Sequence, residues 1–146
     1  MKSFFMVISL LLSVTAWSQT GVGFTLGNPI GVNGKHWLNN SQAVDGGIGF
    51  SIFGKSNLQI HSDFLLHNEN AFYFNDTYPL DLSFGIGGRM EFADDIIIGA
   101  RIPVGLVHKL EKENADIFAE AAPILDFIGK TGIELHLLFG ARYYFQ

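Results

Sequence analysis

The side chains of this chain that could do chemistry are five histidines and a scatter of carboxylates. His61 and Asp63 stand two residues apart, and Glu134 and His136 repeat that spacing. In an extended strand such pairs share one face. A histidine beside a carboxylate could move a proton or hold a metal ion. The motifs that usually accompany those chemistries are missing. Neither Gly-x-Ser-x-Gly nor His-Glu-x-x-His occurs. A lipid A deacylase type of motif would place a serine two residues after His136, where Leu138 stands. Gly85-Ile-Gly-Gly lacks the spacing of a nucleotide loop, and no helical pattern follows it. The chain has no cysteine, so it can hold neither a disulfide nor a thiolate site. The expectation is a protein that is not an enzyme and has no catalytic residue, cofactor site or metal site.

One constellation remains. Arg89, Arg101, Lys109 and Arg142 fall on the same faces as Asp63, Glu91, Glu120, Asp126 and Glu134 once the elements that carry them are drawn. Those elements are strands. From Asp81 to Lys109 the chain alternates with a period of two. Leu82, Phe84, Ile86, Met90 and Phe92 lie on one face, and Asp81, Ser83, Gly85, Gly87, Arg89 and Glu91 on the other. After a turn at Ala93-Asp94-Asp95, Ile98, Ala100, Ile102, Val104 and Leu106 oppose Gly99, Arg101, Pro103, Gly105 and Lys109. This is a hairpin of two long amphipathic strands.

The rest of the chain reads the same way. Strands are expected over 21–27, 34–38, 45–53 and 57–67, before the hairpin, and over 115–127 and 133–145 after it. Asn68–Tyr78 reads as the longest connection, polar but rich in aromatics. Asn28-Pro29 opens a loop, and Lys35 and Trp37 near it suggest a recognition tip or an interface anchor. With no helix signal and short turns, the fold class expected is all-β, an eight-stranded antiparallel up-and-down β-barrel. Eight strands can close into a barrel filled by its own side chains.

Alternation does not say which face points inward. A soluble carrier would bury the apolar face; a membrane barrel exposes it to lipid. Three features favour the membrane type. The polar face is glycine with single charges, a poor solvent surface but a good lining for a narrow lumen. Both signs of charge occur there, as an enclosed network requires. Aromatics stand near strand ends on the apolar face, at Phe92, Phe127, Tyr143 and Phe145, where interface girdles sit. The expected lumenal network is Arg89, Glu91, Arg101, Glu120, Asp126, Glu134 and Arg142, with Glu120 pairing both Arg101 and Arg142 across neighbouring strands. The expected lipid-facing residues are Leu82, Phe84, Ile86, Ile102, Val104, Leu106, Leu135, Leu137 and Phe139. A gated ion path through exchanging pairs is the functional alternative for the network. One feature runs against the usual pattern: Asn68–Tyr78 falls on the periplasmic side, where membrane barrels normally have short turns.

Several segments together carry a resemblance. They are Gly27-Asn-Pro-Ile-Gly31 with Lys35 and Trp37, Leu65-Leu-His-Asn68, Pro79-Leu80 before Gly85-Ile-Gly-Gly-Arg89, Gly99-Ala-Arg-Ile-Pro-Val-Gly-Leu106, Ile117-Phe-Ala-Glu-Ala-Ala-Pro123 with Asp126, and Gly140-Ala-Arg-Tyr-Tyr-Phe145. In these the chain resembles a family of small proteins of spirochaetes and many Gram-negative bacteria, described as outer-membrane β-barrels with a domain of unknown function. The resemblance implies the barrel and the outer membrane and supplies no activity.

The bulk properties fit. The 146 residues suit one domain, and the net charge of −5 with no Lys/Arg run argues against nucleic acid. Seventeen glycines and fourteen phenylalanines match one thin face and one aromatic-loaded face. Met1-Lys2, the apolar run Phe4–Leu12 and Ala16-Trp17-Ser18 read as a signal peptide over 1–18, leaving a single barrel domain over 19–146. The expected protein is an outer-membrane barrel with a plugged lumen, monomeric, with outer-membrane lipid and an extracellular or periplasmic protein as the partners open to it. The alternatives are a soluble secreted lipocalin-like barrel around an apolar ligand, and a lipid-modifying outer-membrane enzyme.

Overall fold

A computed structural model describes residues 20–51 and 56–145. The expected signal peptide lies outside them, as do Ile52 and Phe53 at the end of the expected third strand. Nine strands are described: β1 (Thr20–Asn28), β2 (Ile30–Trp37), β3 (Gln42–Phe50), β4 (Leu58–Phe74), β5 (Tyr78–Phe92), β6 (Ile96–Arg101), β7 (Val104–Leu110), β8 (Ala115–Ile128) and β9 (Gly132–Tyr144), with a 3-10 turn at Glu111–Glu113 before β8. All are antiparallel and belong to one sheet. The sheet closes on itself, because β4 pairs β5 and β9 pairs β1.

The strand number corrects the expected eight. The expected sixth strand is two, β6 and β7, divided at Ile102-Pro103. Both pair with β5 on one side and β8 on the other, so they share one position in the ring. Proline is the cause. The Gly85 amide donates to the Pro103 carbonyl at 3.0 Å, but Pro103 has no N–H to return the bond.

The longest expected connection is also corrected. Asn68–Tyr78 is mostly strand. β4 runs on to Phe74 and β5 starts at Tyr78, with a turn of three residues between them. The register slips between Asn68 and Phe72, and Asn70 adopts a positive φ of 51°. That bulge interrupts the period-two pattern, so a continuous hairpin reads as a loop. It projects at the end of the ring where Thr20 and Tyr144 also lie, together with the 38–41 turn and the 3-10 turn. The opposite end has the connections after β1, β3, β5 and β8.

β2 and β3 begin before their expected starts. Ile30–Trp37 pairs with β1 and β3 along its length, so Lys35 is in a strand and not at a loop tip. It is 2 % exposed.

The registers stagger round the ring. Paired Cα positions lead from Thr20 through His36, Val44, Phe64 and Ile86, then across β6/β7 and β8 at the level of Ile102 and Pro123, to Leu135. Continuing the β9–β1 register from there reaches position 30, ten residues beyond the starting Thr20. Such a stagger requires strands tilted by roughly 40° to the ring axis.

The faces are inverted relative to a soluble domain. Phe24, Ile86, Ile102, Ile133 and Phe139 are 54, 64, 56, 80 and 65 % exposed. Arg89, Arg101, Asp63, Asp126 and Arg142 are buried. The outer face is apolar and the inner face is charged.

Candidate functional site

Among the described residues the interior carries a dense set of polar groups, and it falls into three tiers along the axis. The tier at the opposite end from the termini centres on Arg89. Its Nε and Nη2 donate to Asp126 Oδ1 and Oδ2 at 3.2 and 2.7 Å, a bidentate pair. Nη2 also donates to Glu134 Oε2 at 2.8 Å and Nη1 to Gln59 Oε1 at 3.1 Å. Glu91 Oε2 lies 3.6 Å from Nη1. Gln59 in turn donates to Ser51. Lys130, in the β8–β9 turn, caps the tier. Its hydrogen bond to Glu134 is the main cause holding its ammonium above the usual lysine value, against desolvation.

The tier at the termini end is equally connected. Arg142 Nε donates to Asp116 Oδ1 at 2.9 Å, and the Tyr144 hydroxyl donates to Asp116 Oδ2 at 2.7 Å. The Arg142 guanidinium lies 4.0 Å from the Phe118 ring centroid. Lys35 Nζ is 2.7 Å from His67 Nε2. Trp37 packs on His67 at 4.3 Å between ring centroids and receives Lys35 and Lys109 at 4.5 and 4.9 Å. Lys109 bridges Glu69 and Asp81 at 3.2 and 3.3 Å. Trp37 is thus one wall of a lumenal cation cluster. The expected recognition tip or interface anchor is corrected: the inward parity of β2 turns Lys35 and Trp37 into the ring.

The middle tier is thinner in cations. Arg101 Nη2 donates to Glu120 Oε2 at 3.0 Å. Its Nε lies 3.1 Å from Asp63 Oδ1, an ion pair without hydrogen-bond alignment. Asp45 stands directly across from Asp63 in the β3–β4 register.

The structure therefore brings Arg89, Glu91, Asp126 and Glu134 together, and joins Arg101 to Glu120. It does not join Glu120 to Arg142. Glu120 lies across from Leu138, and it is Asp116 that lies across from Arg142. The expected Arg142 partner is thus corrected to Asp116. Asp116, Asp45 and Gln59 were missing from the expected network, and their inward parity was the signal that could have found them. Leu82 is half-buried on the outer face; Phe84, Ile86, Ile102, Val104, Leu106, Leu135, Leu137 and Phe139 are exposed there. Glu134 and His136 share the inner face, with His136 Nε2 3.9 Å from Glu134 Oε2. No family model, curated protein or solved structure matches the chain.

Proposed function

We propose that the chain is a small integral β-barrel of the bacterial outer membrane, exported by a signal peptide, with a plugged lumen and a structural or interaction role and no catalysis. The observation that carries the reading is the inversion of faces. Soluble monomers rarely expose apolar patches beyond a few hundred Å², and here the apolar face runs all the way round the ring. In lipid that face is the satisfied one, and closure pairs the strands of the ring on both sides, leaving open edges on the projecting β4–β5 hairpin. Two rims of exposed aromatics support it. Phe50, Phe92 and Phe127 stand at one end, and Phe72, Phe74, Tyr78, Tyr143 and Phe145 at the other, as interfacial girdles do. Strands of 8 to 17 residues, with β6 and β7 together spanning one wall, give the length a tilted crossing needs.

The tiers support a plugged lumen. An aqueous pore would need open space along the axis, whereas Arg89 and Arg101 have fully buried side chains held by carboxylates from several strands. An apolar ligand inside would meet charges wherever it lay, which disfavours a carrier. The projecting β4–β5 hairpin is the natural contact surface for a protein partner.

Membrane fractionation with a heat-modifiable gel shift tests the reading. The folded chain should sediment with membranes, resist carbonate extraction and migrate differently before and after boiling. Recovery from the soluble periplasm would overturn it. Ile102→Arg sharpens the test. At a lipid-facing midplane position it should cost ~2–4 kcal/mol in unfolding measurements in lipid, whereas an arginine on a water-exposed surface would be nearly silent.

A further inference from the structure

The middle tier has the largest charge imbalance of the three; at the opposite end Arg89 and Lys130 face Asp126, Glu134 and Glu91. At the termini end, Arg142, Lys35 and Lys109 face Asp116, Asp81 and Glu69. In the middle, three carboxylates, Asp45, Asp63 and Glu120, share the guanidinium of Arg101, which reaches Asp63 and Glu120 only. Asp45 makes no ion pair among the described residues, and its β2 neighbour Lys35 is turned toward His67. Like charges set directly across two strands destabilise a sheet, and uncompensated charge inside a closed lumen is costlier still. Something of charge +2 would balance the tier.

The geometry indicates what it is. Asp45, His61 and Asp63 each offer a ligand atom, all within 4.8 Å of one another. Two ligands at ~2.1 Å from a tetrahedral ion are roughly 3.4 Å apart, so small side-chain rotations close the set. Asp63 is 2 % exposed, and both of its carboxylate oxygens, with Asp45 Oδ1, are buried without a hydrogen-bond donor. Glycines make the room. A Cβ on Gly47 would meet His61 Cε1 at 2.6 Å, and one on Gly87 would overlap Asp63 Oδ1.

We infer that Asp45, His61 and Asp63 form a divalent metal site inside the ring. Two carboxylates with one imidazole and no thiolate suit a first-row transition ion such as Zn²⁺ or Mn²⁺, and the nitrogen ligand disfavours Ca²⁺ and Mg²⁺. The ion would tie β3 to β4 and neutralise the tier. The site does not depend on what medium bathes the outer face, so its failure and that of the membrane reading are separate results.

The test uses the full chain folded in detergent micelles, with Co²⁺ as the spectroscopic probe and Zn²⁺ for content and stability. Metal is offered both during refolding and afterwards. The expected result is one equivalent of Co²⁺ per chain with a visible absorption band, and an unfolding temperature that EDTA lowers and Zn²⁺ restores. His61→Gln should weaken Co²⁺ binding by at least about tenfold, the size of loss that disturbing even an outer-shell partner of a metal site can bring. Asp45→Asn should also lose the metal, yet stay folded by gel shift and become insensitive to EDTA, because it removes a metal ligand and half of the surplus charge. An unaltered chain that takes up less than about a tenth of an equivalent by either route, with no response to EDTA, overturns the inference. So does binding in both variants equal to that of the unaltered chain, which would place the ion on other histidines.

Discussion

Arg89 is the residue on which the most bonds converge. Its guanidinium meets Asp126, Glu134, Glu91 and Gln59, each on a different strand or strand end. Removing one partner of a buried pair leaves the others as uncompensated charge. Arg89→Ala should therefore cost ~3–5 kcal/mol in a urea titration monitored by gel shift. Arg89→Lys should recover only part of that, because an ammonium cannot make the bidentate contact to Asp126; full recovery would show that charge alone matters there. The alternation puts Arg89, Asp126 and Glu134 on one face, and the glycine-and-charge composition of that face marks it as the inner one. Which arginine meets which carboxylate was not legible. It depends on register, and register is set jointly by turns and bulges on neighbouring strands. Hence Arg142 pairs with Asp116, a residue the alternation places inside but does not single out. Asp45 was hidden for a related reason: its importance comes from Asp63 across the strand and not from its own neighbours in sequence.

At the scale of elements, two local features hid structure. Pro103 splits one wall into β6 and β7, a break the apolar alternation of Ile102, Val104 and Leu106 runs straight through. The bulge at Asn70 did the opposite, disguising a continuous hairpin as a loop. The hairpin beyond the bulge exposes Phe72, Tyr73, Phe74 and Tyr78 and contributes one aromatic contact to the wall, Tyr78 on His108. Replacing residues 71–79 by an Asn-Gly turn should leave the folded gel mobility in place and change unfolding free energy by no more than about 1 kcal/mol, since few buried groups are lost. A chain that no longer folds would show that the projection is part of the wall of the ring. If it folds but loses a cross-linked partner, the projection is the contact surface.

At the scale of the molecule, closure governs assembly. The seam that completes the ring joins Gly21–Asn28 to Leu137–Tyr144, the two ends of the described chain. All other pairings but those across the β6/β7 break link strands adjacent in sequence and can form by zipping one hairpin onto the next. The seam cannot. It requires the loop entropy of nearly the whole domain to be overcome before any reward arrives, and folds dominated by such contacts are slow. Until it forms, β1 and β9 are both open edges, templates for pairing with another chain. The interval before closure is thus when this protein is most prone to aggregate. A truncation before β9 should yield no heat-modifiable species and should accumulate as pelletable oligomers, while the intact chain at the same concentration does not. The interval before closure is when the exposed strand edges most need shielding, and the need ends when Tyr143 and Tyr144 settle beside Val22 and Gly21.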